Sequence, residues 1–163
     1  MSGDATNPDP GDDTGFRPDC WLHPDVEVRP SPIAGRGLFA RAPIPDGTVV
    51  SRLGGRLVDD AELARVLRGP SYVDTVAVGA GRHVVLPPGT PNGLGNHSCD
   101  PNLEWTGPLA LATRRDVAAD EELTNDYAVV SGDGFTMSCA CGSPLCRGAV
   151  TGVRNSSRLP NGS

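Results

Sequence analysis

Glycine and proline punctuate this chain too often for long helices, with 21 glycines and 16 prolines among 163 residues. Proline fixes φ and removes a donor, and glycine accepts positive φ, so such density favours short strands and tight turns over a helical bundle. The length suits one domain with a modest core. Aromatic residues are only 4% against a hydrophobic share of 37%, so that core must be built from Val, Leu and Ala.

Between the breakers, Val26–Arg29 reads as a short strand. Gly37–Arg41 and Thr48–Leu53 read as strands on either side of a turn at 43–47. One helix is expected, Asp59–Arg68. Asp59 and Glu62 give it a capping-box-like start, Leu63, Val66 and Leu67 a buried stripe, and Gly69-Pro70 a stop. Tyr72–Val78 with Arg82–Leu86, and Leu103–Thr106 with Leu109–Arg114, are expected hairpins. Pro87–Gly95 is irregular and Glu122–Tyr127 extended. With no internal repeat, the fold class is mostly β with one short helix.

The formal net charge of −6 weighs against a nucleic-acid binder, which usually shows a basic face. Asp4, Asp9, Asp12, Asp13 and Asp19 face only Arg17 in the first segment. The remainder is mildly acidic, which serves solubility and would also suit a basic peptide partner. All 14 basic residues are Arg, so an enzyme acting on lysine could not modify its own side chains. No apolar run is long enough to span a membrane, and the N-terminus has neither the basic start nor the apolar stretch of a signal peptide. A cytoplasmic monomer is expected, with disordered tails at 1–19 and 151–163.

The strongest metal signal is Cys139-Ala140-Cys141-Gly142-Ser143-Pro144-Leu145-Cys146. Three thiolates within eight residues, on a loop bent by Gly and Pro, can wrap one tetrahedral zinc. A closed site wants a fourth ligand, and Cys99, Cys20 or a histidine could supply it. The second signal is Asn96-His97-Ser98-Cys99-Asp100-Pro101-Asn102. Alone it could be an elaborate turn. His97 and Cys99 could also make a nucleophilic pair, but no third residue is identifiable to orient it.

This heptapeptide, followed by Glu122-Leu123-Thr124-Asn125-Asp126-Tyr127 and then by the cysteine cluster ending Cys146-Arg147-Gly148, resembles the SET-domain methyltransferases with a post-SET zinc loop. Gly35-Arg36-Gly37-Leu38-Phe39 stands where that family has its opening glycine motif. The resemblance spans about residues 25–149 and implies a SET domain over 20–135 and a post-SET loop over 136–150. It implies several small sheets with a pseudoknot, of β-clip type, in which the Asn96–Asn102 and Glu122–Tyr127 segments thread together. It implies S-adenosyl-L-methionine as methyl donor, held by Gly35, Arg36, Gly37, Asn96 and His97, with Tyr72 touching cofactor or substrate. Cys99 would join Cys139, Cys141 and Cys146 on one structural zinc, leaving Cys20 and His23 as flanking-segment residues. Tyr127 would be catalytic, orienting a lysine amine whose pKa desolvation and the sulfonium charge lower.

Two positions depart from the family. Gly93-Leu94-Gly95 stands where Arg-Phe-x often precedes Asn-His. Asn125 holds the position, facing the substrate channel, where Phe or Tyr usually limits the number of methyl groups. The implied activity is a protein-lysine N-methyltransferase acting on a protein or peptide, a basic one being suited. The alternative is a non-catalytic peptide-binding module that keeps the fold and the zinc site.

Overall fold

The computed structural model describes residues 16–131 and 134–152. Of the tails expected at 1–19 and 151–163, residues 1–15 and 153–163 lie outside the described residues. Within them, Arg17 O accepts from Gly55 N at 2.8 Å, and Thr151 still belongs to a strand.

Thirteen short strands and one helix are present among the described residues, so the fold is mostly β as expected. In chain order they are β1 (Trp21–Leu22), β2 (Val26–Pro30), β3 (Arg36–Ala40), β4 (Val49–Arg52), β5 (Arg56–Asp59), α1 (Asp60–Leu67), β6 (Thr75–Gly79) and β7 (Arg82–Val85). Then come β8 (Asn96–His97), β9 (Leu103–Trp105), β10 (Ala110–Thr113), β11 (Glu122–Asn125), β12 (Thr136–Ser138) and β13 (Ala149–Thr151). They form four small sheets, ordered β1-β4-β10-β9, β2-β3-β11-β8, β5-β7-β6 and β12-β13.

The turn at 43–47 does not join a hairpin. It carries the chain from the sheet of β3 to that of β4, with Ile44 and Val117 exchanging two backbone bonds at 2.9 Å. Ile44 is 1% exposed, so the crossing is anchored in the core. Val26, Leu38, Ala40, Ile44, Val50, Leu103, Leu111, Val117 and Leu123 fill one core cluster, and Leu53, Val76, Val78, Val84 and Leu86 fill a second. These are the aliphatic side chains an aromatic-poor composition requires. Each large one contributes about 1.5–3 kcal/mol on full burial.

β8 runs parallel to β11, pairing Asn96 with Thr124 and His97 with Asn125. All other named pairs are antiparallel. Asn102 fastens the two segments: its Oδ1 accepts from Thr124 N at 2.9 Å, and its Nδ2 donates to Glu122 O at 2.8 Å. The two motif segments thus lie together, as the resemblance implies.

Two local expectations are corrected. The helix starts as expected, with Asp59 accepting from Glu62 N at 2.8 Å. It has no buried residue, however: Leu63 and Val66 are half-buried and Leu67 is 57% exposed. An eight-residue helix lying at the edge of a three-stranded sheet has too little body beneath it to cover a full apolar stripe. The extended run also ends at Asn125, where Asp126 Oδ1 accepts from Ala128 N at 3.0 Å and caps a 3-10 turn over Tyr127–Val129.

Candidate active site and metal centre

A cavity of about 640 Å³ opens between the β5-β7-β6 sheet and the start of the last hairpin. Its wall is mostly apolar, including Leu53, Trp105, Leu111, Val130, Phe135 and Met137. Tyr72, Asn125 and Tyr127 line it, as do Asp74, Gly93 and Gly95. The structure therefore gathers three of the expected site residues around one cavity.

Tyr127 Oη donates to Gly95 O at 2.5 Å. Burial above all, and then the charge of Tyr72, Asp74 and Glu122, pushes its hydroxyl up to about 12. The group stays protonated, with its hydrogen directed at the carbonyl and its oxygen lone pairs left to accept. Asn125 is 6% exposed on β11, and its Nδ2 faces Gly95, 3.5 Å from where a Cβ would stand there. Tyr72 is 88% exposed at the cavity edge, with its hydroxyl 3.0 Å from Asp74 Oδ1.

The remaining expected cofactor residues lie outside the cavity lining and gather around β8. Asn96 Nδ2 donates to Ala34 O, Arg36 O and Glu122 Oε1 at 3.1, 3.2 and 2.9 Å. A Cβ on Gly37 would lie 2.2 Å from Glu122 Oε1, so only glycine permits this close approach. Gly35, with φ +48°, faces open space. Asn96 Oδ1 takes no bond from the described residues and can accept from the ammonium of an amino-acid ligand such as S-adenosylmethionine. By that acceptor and the open backbone at Gly35, the residues fit the expected cofactor.

His97 joins this site to the cysteines. Its Nδ1 accepts from Tyr127 N at 3.0 Å, so the proton is assigned to Nε2, which lies 3.3 Å from Cys99 Sγ. Burial lowers its pKa, consistent with a neutral ring. The two side chains of the possible nucleophilic pair do meet, but they turn toward the other cysteines instead of the cavity.

The sulfurs of Cys99, Cys139, Cys141 and Cys146 all lie within 4.8 Å of one another. Cys99 and Cys139 are 3.8 Å apart, close to the roughly 3.8 Å edge of a tetrahedron with Zn–S bonds of about 2.3 Å. Burial pushes Cys139 up to about 12, whereas a hydrogen bond from the Cys99 backbone leads in pulling Cys141 down to about 6. This four-sulfur cluster could hold a metal ion, and its soft donor set suits zinc. Cys20 and His23 stand apart. Cys20 exchanges bonds with Gly54, and His23 Nδ1 accepts from Asp25 N at 3.0 Å.

Sequence reasoning missed three residues that shape the site. Glu122 organises Asn96 and Gly37, and Asp74 enters the cavity. Arg147 donates to Cys99 Sγ from both N and Nε at 3.4 Å, and from Nη2 to Asp126 Oδ1 at 2.8 Å. Glu122 and Arg147 stand inside the quoted motifs, and for Arg147 its place beside Cys146 was the available signal. Asp74 had none.

A profile of the SET domain matches residues 35–128. The chain is 31% identical to histone-lysine N-methyltransferase ATX2 of Arabidopsis thaliana over 148 residues, 80% of this chain and 13% of that protein. It is 34% identical to histone-lysine N-methyltransferase NSD3 of Mus musculus over 155 residues, 82% of this chain and 10% of that protein. The chain thus spans a small part of these relatives. The methyltransferase domain of human histone-lysine N-methyltransferase SETMAR shares the fold, with a TM-score of 0.61 and 23% identity over 86% of this chain and 60% of that one.

Proposed function

Because this chain belongs to the SET-domain family, we propose that it is an S-adenosylmethionine-dependent protein-lysine N-methyltransferase. The observation that carries this reading is the aimed Tyr127 hydroxyl, fixed on Gly95 O inside a largely apolar cavity. Bound S-adenosylmethionine supplies an electrophilic methyl group on a sulfonium. A lysine amine entering the cavity leaves water, which favours its neutral, nucleophilic form. Tyr127 Oη then accepts a hydrogen bond from that amine and points its lone pair, because the hydroxyl proton is already committed to Gly95. With so high a pKa, Tyr127 serves as an orienting group and not as the base. Rate comes from alignment of the reactants more than from proton transfer.

Gly35, Arg36, Gly37, Asn96 and His97 would hold the cofactor. Asn96 and His97 act mainly by fixing the β8 backbone, since their side-chain donors engage the protein. Cys99, Cys139, Cys141 and Cys146 would hold one structural zinc, making 136–150 a post-SET loop. The cytoplasmic monomer expected from the sequence is part of the same proposal, since a reducing compartment keeps such thiols available to a metal.

The test pairs two measurements on the purified, zinc-loaded protein: cofactor binding by calorimetry, and transfer of labelled methyl from S-adenosylmethionine to a protein extract. Label recovered on lysine is the expected result. Cofactor or peptide binding without transfer would favour the non-catalytic module, for which Gly93 and Asn125 are the motivating departures.

A further inference from the structure

Asp74 is the only carboxylate on the cavity wall among the described residues, and no arginine joins it there. None of the ion pairs among the described residues includes it. The one wall residue among those described that can carry a positive charge, His83, is bonded through Nε2 to Asp60 at 2.7 Å. Asp74 Oδ1 accepts from Tyr72, and Oδ2 faces Gly93. A Cβ on Gly93 would lie 2.1 Å from Oδ2 and 2.8 Å from Cγ. Gly93 is not among the positive-φ glycines, so its backbone would accept a side chain. What excludes one is the carboxylate. The missing side chain at 93 and the acid at 74 are therefore one feature, a negative charge admitted into an apolar cavity.

This charge is poorly matched to the reacting amine. A carboxylate against that amine would favour its protonated form, which cannot attack. A second cation on the substrate meets no such objection. A guanidinium fits best, since its planar fork can bond Oδ2 and the free lone pair of Oδ1. The exposed Tyr72 ring beside Asp74 offers an aromatic face on which that cation can lie.

We propose that Asp74, with Tyr72 beside it, receives an arginine or lysine side chain flanking the target lysine, and so makes the site selective for basic peptide sequences. This rests on the methyltransferase reading and names its substrate class. The test reads binding separately from turnover. A peptide library with a fixed central lysine is prepared with each flanking position set in turn to Arg, Gln or Glu. Affinities are measured for the wild-type protein with zinc and S-adenosylhomocysteine.

At one flanking position Arg should bind about tenfold more tightly than Gln, with Glu weakest. Asp74→Asn should reduce that preference to less than twofold while leaving the affinity for the Gln peptides unchanged. Gly93→Ala should reduce it too, because the new methyl group displaces the carboxylate without removing its charge. The proposal is overturned by an absence of Arg preference at every position, or by the same preference in both variants. Equal loss of all peptides in Asp74→Asn would make the residue structural and also overturn it. Methyl transfer to the same library is scored independently. An intact Arg preference without transfer would count against the enzyme reading alone.

Discussion

At Tyr127 a single hydrogen bond sets the direction of the hydroxyl, and the 5.4 Å approach of the His97 ring restrains the phenol from the side. Tyr127→Phe keeps that packing and removes only the oxygen, so methyl transfer should fall by about 100-fold or more while cofactor affinity stays within a few-fold. Near-normal turnover in the variant would make the residue structural. The raised pKa adds a pH expectation. The protonated phenol is present below about 12, so Tyr127 imposes no alkaline limb below that value. Turnover should instead climb with pH as the substrate amine, with an ordinary pKa of about 10.4, loses its proton. Stopping that climb near pH 9 in the wild type but not in Tyr127→Phe would overturn this assignment. Asn125 poses the companion question. Its amide can hold an ordered water in the space a further methyl group needs. Asn125→Tyr should restrict the product to fewer methyl groups, and Asn125→Phe should allow more than Asn125→Tyr. Mass spectrometry of a modified peptide decides it, and identical distributions in all three proteins would remove Asn125 from the channel. The extended run expected over Glu122–Tyr127 does not reach Tyr127, because the strand ends at Asn125. Both side chains nevertheless line the cavity, since the capped turn at Asp126 returns Tyr127 to it.

At the scale of elements, Arg147 joins the cysteine loop to two segments of the body with which that loop's hairpin shares no strand pairing. It ties the Cys99 sulfur to Asp126, the residue that caps the turn carrying Tyr127. The ion pair is partly exposed, so its direct contribution to stability is about 1 kcal/mol or less. Its effect should be on alignment. Arg147→Ala is expected to lower kcat several-fold with little change in KM and no loss of metal, and Arg147→Lys should recover part of the loss. A fall in bound zinc matching the fall in kcat would show instead that the side chain acts only on the metal. Such links are hard to read from sequence. The β6-β7 and β9-β10 hairpins were legible because β-rich runs flank glycine turns, and the helix start was legible from Asp59 and Glu62. β1 and β8 are two residues each, too short to carry alternation. β12 and β13 were hidden by the cysteines between them, which drew the segment into a loop reading. Leu63, Val66 and Leu67 have the spacing of a buried stripe, but spacing records which side chains share a face and not whether anything covers that face. The motif residues were legible as a set. Asp74 was not, because its meaning depends on the space above Gly93, a contact between distant parts of the chain.

For the molecule as a whole, the decisive question is what holds the last hairpin against the body. Val150, fully buried, is the principal apolar anchor of β13, and burial of one valine contributes about 1.5–3 kcal/mol. A structural zinc in a four-cysteine site contributes roughly 10–16 kcal/mol of apparent binding energy. Cys99 is the only one of the four thiols outside this hairpin, so the metal would act mainly as a clamp between the hairpin and the β8 segment. The two aliphatic clusters contain no residue of the hairpin and do not depend on that clamp. The purified protein is therefore expected to contain about one zinc per chain in an all-sulfur environment. Chelation should raise amide exchange throughout 136–151 while β3, β4 and β11 stay protected. Peptide binding should fall in the same step, because the strand region that is freed supplies Phe135 and Met137 to the cavity wall. The residues proposed to hold the cofactor, Gly35–Gly37 and Asn96, lie on the protected body, so cofactor affinity should fall less than peptide affinity. Exchange rising together in the hairpin and in β3, β4 and β11 would show that the metal supports the core itself. Retention of peptide binding after complete metal removal would show that Val150 alone seats the hairpin, and the clamp would have no role in building the site.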